Sequence, residues 1–281
     1  MRTPTNPSTS RLFQGSPRLL VLALPWMLAV VAAKWVLVAA DVQPLDLSPL
    51  LAAAISAEVF ILGFLLSGTA ADFKEAERLP GEVASSLETI ADECLIVHQD
   101  LGIPDARACL LRLADVNASV RAWLTHNHSV DALMSDIRGL NAAFRVFAPL
   151  IQPGFTTRLK SEQAAIRKTV LRMDTMRRTS YVAAGYLIVE VTAVVLVIVL
   201  LVSDLGPLAP TLSLVGLISY LLVYLIALIR DLDDPFEYLD GQPGAADVDL
   251  RVLEHSELRI RALVAAIDLG QLPTSPLRGA P

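Results

Sequence analysis

Four stretches of this 281-residue sequence are almost without charge, and that lack sets the class of protein. Leu19–Ala40, Pro49–Gly68, Tyr181–Val202 and Thr211–Ile229 together hold only three acidic or basic residues, Lys34, Glu58 and Glu190. A water-facing helix needs a polar face, and apolar runs of ~20 residues are what a bilayer requires of a spanning helix. Cysteine is scarce as well. Cys94 and Cys109 are the only two, and both fall in a segment expected inside the cell, where thiols stay reduced, so no disulfide is expected. The net charge is −6, and no basic surface interleaved with aromatics occurs, which excludes nucleic acid as a partner. No glycine-rich phosphate loop or Ser/His/Asp arrangement is present. His98, His126, His128 and His255 have no third ligand at metal spacing; His126 and His128 read instead as the solvent-exposed flanks of a turn. No enzyme activity, metal or cofactor is therefore expected.

The charges that are present are distributed unevenly, and they orient the spans. The loop between the first two runs carries Asp41 and Asp46 and no Lys or Arg. The loop between the last two, SDLGPLAP, carries only Asp204. Lys74, Arg78, Arg158, Lys160, Arg167, Lys168, Arg172, Arg177, Arg178 and Arg230 lie on the other sides of the spans. The positive-inside rule then predicts both termini in the cytoplasm and a plasma (inner) membrane protein with four spans. The first run is too long for the apolar core of a cleaved signal peptide, so it is expected to remain as a span.

The predicted organisation is all-α: a disordered basic leader over 1–17, spans one and two within 18–69, a cytoplasmic helical insert over 70–180, spans three and four within 181–230, and a cytoplasmic C-terminal segment over 231–281. Helical periodicity marks Ala84–Gln99, Asp105–Thr125, Val130–Val146 and Thr157–Met176, separated by breaks at Gly102-Ile103-Pro104, His126-Asn127-His128 and Pro153-Gly154. The second span is expected to continue as a helix through Asp72–Arg78, which shows no loop signal. No strand-like alternation stands out. A Gly/Pro linker, DGQPGAADVD, precedes a last amphipathic helix over Leu250–Leu269, and the tail from Pro273 reads as disordered. The glycosylation-like triplets at Asn117 and Asn127 lie on the cytoplasmic side and are taken as chance.

The three charged residues inside the spans are candidates for function, because such residues are expensive in lipid. Lys34 can snorkel towards the outer surface or pair with Glu58. Glu58, near the bilayer centre, has three states open to it: neutral, paired or hydrated. Glu190, beside Tyr186 and Thr192 in sequence, is expected to be either protonated and hydrogen-bonded or functional. In the second span Ser56, Phe60, Phe64 and Gly68 share one helix face, and Glu58 lies ~200° round from Phe60. By itself a two-Phe stripe reads as packing or lipid contact. Ala52, Ala53, Ser56, Ala57 and Gly63 would let other helices approach closely.

FILGF at 60–64, followed by a polar helix containing RLP at 78–80, resembles the pore helix of the bestrophin ion channels. DDPFEY at 233–238 is similar to the family's acidic, Pro-Phe motif after the last span, and Tyr181, opening span three after a basic helix, is a weaker third likeness. The expected topology is also the family's. The resemblance implies a homo-oligomer, a pentamer, in a lipid bilayer, with span two around a central pore for inorganic ions, chloride among them. Phe60 and Phe64 would then be two of three hydrophobic neck positions, with Ser56 as the third, where the family usually has an apolar residue. Asp233, Asp234, Pro235 and Phe236 match the motif after span four, with Pro235 and Phe236 anchoring the chain's exit from the membrane. Glu237-Tyr238-Leu239-Asp240 stands in place of the acidic run that binds calcium in animal members, which removes the basis for calcium gating. The alternatives are an ion- or proton-coupled transporter using Glu58 and Glu190, and a membrane-anchored helical scaffold or sensor.

Overall fold

A computed structural model describes residues 17–46, 49–125, 129–178, 183–236, 238 and 247–272. The leader up to residue 16, Tyr181, the His126–His128 turn with Asn127, most of the Gly/Pro linker and the tail from Pro273 lie outside the described residues. The helices are α1 (Pro17–Ala39), α2 (Pro49–Leu101), α3 (Pro104–Leu124), α4 (Val130–Phe147), α5 (Pro153–Arg178), α6 (Ala183–Val202), α7 (Leu208–Asp233) and α8 (Arg251–Asp268). Four of them, α1, α2, α6 and α7, are long and apolar enough to cross a membrane. The chain forms two units, dividing at Phe73/Lys74, Arg178/Thr179 and Pro235/Phe236. One holds α1, the first part of α2, α6 and α7; the other holds the rest of α2 with α3, α4, α5 and α8.

In the membrane unit α1 packs on α7, and α6 lies against both. The α1–α7 approach depends on Gly216: a Cβ there would sit 3.0 Å from Val31 Cγ2 and 3.9 Å from Met27 Cγ. A small residue at a helix crossing lets two backbones come close where no hydrophobic effect drives them together. Leu62, Leu65, Val189, Leu196, Leu200, Val215 and Leu222 form the apolar interior. The sequence shows no strand pattern, yet β1 (Leu45–Asp46) pairs in parallel with β2 (Ser203–Asp204), joining the two short interspan loops. Two residues are too few to carry a period-2 signal. Gly206 at φ +89° then turns the second loop, its N–H donating to Asp204 Oδ1 at 2.9 Å.

In the insert unit α2 continues past Pro80 to Leu101, as its helix-forming run predicts. The expected break follows at once. Gly102, at φ +62°, donates its N–H to the His98 carbonyl at 2.8 Å, and Pro104 opens α3 at a position where its missing N–H costs nothing. Ser129 caps α4 by accepting from the Ala132 N–H at 3.2 Å. Leu87, Ile90, Leu110, Leu113, Leu133, Ile137, Phe144 and Ile260 build a buried core. Within it Cys94 and Cys109 are free thiols with their sulfurs 3.0 Å apart, and the Cys109 contact followed by burial pushes the Cys94 thiol well above its ordinary range. Asn117 is wholly buried, so its triplet has no access to a glycan. α7 runs past the expected end of span four, to Asp233, because no helix breaker occurs before Pro235.

Candidate functional site in the membrane helices

Helical spacing places Ser56, Phe60 and Phe64 on one face of α2, and all three are exposed, the two rings at 75% and 66%. The Ser56 hydroxyl donates back to the Ala52 carbonyl at 2.8 Å, so it offers acceptor lone pairs outward. The other exposed positions along this stretch are Ala52, Ala53, Ala54, Ala57, Val59, Gly63 and Ser67, and a Cβ built on Gly63 meets nothing within 4 Å. The exposed faces of α1 and α6 are different in kind. They present Leu20, Leu22, Trp26 and Leu28, and Leu187, Ile188, Val194 and Ile198.

The sequence leaves Lys34 to snorkel outward or to pair with Glu58, and the structure shows neither. Lys34 is wholly buried, and its ammonium donates to the carbonyls of Leu201 at 3.0 Å and Ser203 at 2.5 Å. The last carbonyls of a helix have no partner within it, and the C-terminal end of the helix dipole favours a cation. The end of α6 and the residue after it therefore supply the ammonium with two acceptors. Glu190 departs from expectation too: in place of a neutral, hydrogen-bonded acid it forms an ion pair with the Arg230 guanidinium of α7. In the sequence Arg230 marks only topology, and no local pattern links residues 40 apart.

Glu58 points away from the Phe face, as its ~200° offset requires. It is 4% exposed, and its Oε1 is buried without a hydrogen-bond partner. Beside it lies a cavity of about 530 Å³ between α2 and α6, bounded by Leu45, Leu51, Ala57, Ile61, Thr192, Val195 and Ser203.

After α7 closes at Asp233, Asp234 is exposed while Pro235 and Phe236 are buried. Phe236 belongs to the apolar core of the insert unit together with Tyr238, whose hydroxyl donates to the Val248 carbonyl at 2.7 Å. Burial pushes that hydroxyl above the ordinary tyrosine range. The sequence shows Tyr238 only as part of a replaced acidic run; an aromatic two residues after Phe236 is the signal for a second anchor.

Scans against protein-family models and against curated protein sequences find no match. Solved structures do match. A single-site variant of a bacterial bestrophin homologue from Klebsiella pneumoniae aligns with a TM-score of 0.77 at 15% identity, over 89% of this chain and 99% of that one. A second variant gives 0.70 at 17% identity, over 87% and 97%, and the form phased on zinc gives 0.68 at 15%, over 88% and 97%. Four spans and a helical insert, reached first from charge-poor runs and then from FILGF and DDPFEY, thus make the bestrophin fold, and at the level of fold the chain is bestrophin-like.

Proposed function

We propose that the protein is a bestrophin-like ion channel of the plasma (inner) membrane, a homo-oligomer and by resemblance a pentamer, with its termini and insert unit on the cytoplasmic side. The α2 helices of the copies surround a central pore, and Phe60 and Phe64 form its hydrophobic neck. The observation that carries this reading is the exposed face of α2, where Phe60 and Phe64 stand one turn apart among alanines and Gly63, with Val59 beside them. Small residues let another helix approach, and aromatic rings four apart form successive constrictions that gate by dewetting. Ser56, one turn from Phe60, leaves that end of the neck wetter. The protein performs no bond chemistry in this role; pore width and the cost of dehydration at the rings govern passage.

The resemblance of the fold to bacterial bestrophin homologues supports the same reading. The coupled-transporter alternative is weakened by the Arg230 partner of Glu190, since a carboxylate held in an ion pair is a poor second member of a proton-binding pair.

Purified protein in liposomes is expected to pass ions downhill without a coupled proton gradient, and the Phe60→Ala/Phe64→Ala double variant is expected to raise that flux severalfold. Absence of flux from both proteins defeats the channel reading. A monomeric or dimeric mass in detergent defeats the shared pore before any flux is measured.

A further inference from the structure

We infer that the cavity against Glu58 is a binding site for an organic ammonium ion with an apolar body, on the side of α2 turned away from Phe60 and Phe64. At about 530 Å³ it has the size and the mainly apolar wall of a small-molecule site. Its polar side chains are Glu58, Thr192 and Ser203. The Thr192 hydroxyl donates to the Ile188 carbonyl at 2.8 Å and the Ser203 hydroxyl to the Val199 carbonyl at 2.6 Å. Both protons are committed to the helix backbone, so the two hydroxyls meet the cavity as acceptors beside the Glu58 carboxyl.

Glu58 supplies the independent observation. It is 96% buried, and its Oε1 lacks a hydrogen bond. A buried carboxyl oxygen without a hydrogen bond is costly, and an ammonium ion that donates to the carboxyl and neutralises its charge relieves that cost. Among the described side chains, the basic groups nearest the cavity's helices are already engaged: Lys34 with the Leu201 and Ser203 carbonyls, Arg230 with Glu190. The cation therefore comes from outside the chain. A bare metal ion is a poor match to one carboxylate and two back-bonded hydroxyls, and no group of three His, Cys, Asp or Glu side chains occurs among the described residues. An anion is opposed by Glu58. What remains is an ammonium with hydrocarbon to fill the rest of the space, either a free amine or the headgroup of an aminophospholipid.

The inference does not depend on conduction, so its test reads binding alone. Full-length protein in phosphatidylglycerol nanodiscs is titrated calorimetrically with 1-adamantanamine and with 1-adamantanol, two molecules of the same shape that differ in charge, with empty nanodiscs as the blank. The amine is expected to bind at least about tenfold more tightly than the alcohol, the size of effect a charge-assisted hydrogen bond gives. Glu58→Gln is expected to erase that difference, and Ala57→Leu, which narrows the cavity but keeps the carboxylate, to weaken both ligands. Adding phosphatidylethanolamine to the nanodiscs separates the sources: competition with the amine points to a lipid headgroup, and no competition to a free amine. The inference is overturned if neither compound binds, as when a neighbouring copy fills the cavity. It is also overturned if the two bind alike to the unaltered protein, or if the preference survives Glu58→Gln.

Discussion

The two units share an apolar interior and differ in what they expose. In the insert unit the buried positions are largely apolar, and arginines pair with carboxylates on the surface, as Arg107 does with Asp268 and Arg259 with Glu88. In the membrane unit Leu, Val, Ile and Trp side chains are exposed, while Lys34, Glu58, Ser203, Thr211 and Ser219 are buried. The same rule produces both patterns, because each surface matches its solvent and lipid cannot satisfy a polar group. The exposed face of α2 breaks the pattern inside the membrane unit. It is apolar, yet around the Phe60 and Phe64 rings and Val59 it carries only alanine, glycine and serine.

The largest expected effect tests that exception. Gly63→Leu on α2 should abolish the assembled species, because the side chain enters the space another helix needs; Val194→Leu, on the exposed face of α6, should leave assembly intact. Native mass measurement in detergent separates the two, and equal behaviour would erase the distinction between the faces. Next in size is the contrast in polar groups. Lys34→Met leaves the Leu201 and Ser203 carbonyls without their donor and should lower stability by ~1–3 kcal/mol. Arg107→Met, which removes an exposed ion pair of the insert unit, should shift thermal unfolding little. The smallest effects concern glycine. Gly216→Ala forces a Cβ to within 3.0 Å of Val31 Cγ2 and should destabilise by about 1 kcal/mol or more, as overpacking does. Gly139→Ala on α4, with open space around the new methyl, should stabilise by roughly 0.5–1 kcal/mol through helix propensity. Opposite signs in thermal melts are the expected outcome.

The features readable from the sequence were those written in local patterns. Charge-poor runs located the spans, and Gly102-Ile103-Pro104 located the end of α2 because a left-handed residue followed by proline cannot continue a helix. The helical offset between Phe60 and Glu58 placed them on different sides of α2, and the burial of Glu58 against the exposure of Phe60 follows from it. What sequence did not disclose were contacts between distant segments: Lys34 with the end of α6, Arg230 with Glu190, and the β1–β2 ladder. Each joins groups at least 40 residues apart, and each satisfies a polar group whose need was visible in the sequence while its partner was not. Phe236 was read as a membrane exit anchor, but its burial in the insert unit's core depends on which unit claims it, and a dipeptide motif does not say.

The β1–β2 ladder also bears on how the chain is made. Its first strand emerges early in synthesis, but its partner follows only after the whole insert and α6. The insert's core likewise waits for Phe236, Leu253 and Ile260, which come after the last span. Neither unit can close from a contiguous stretch of nascent chain. α1 and α2 are therefore made before α6, the helix that faces Glu58 across the cavity, exists.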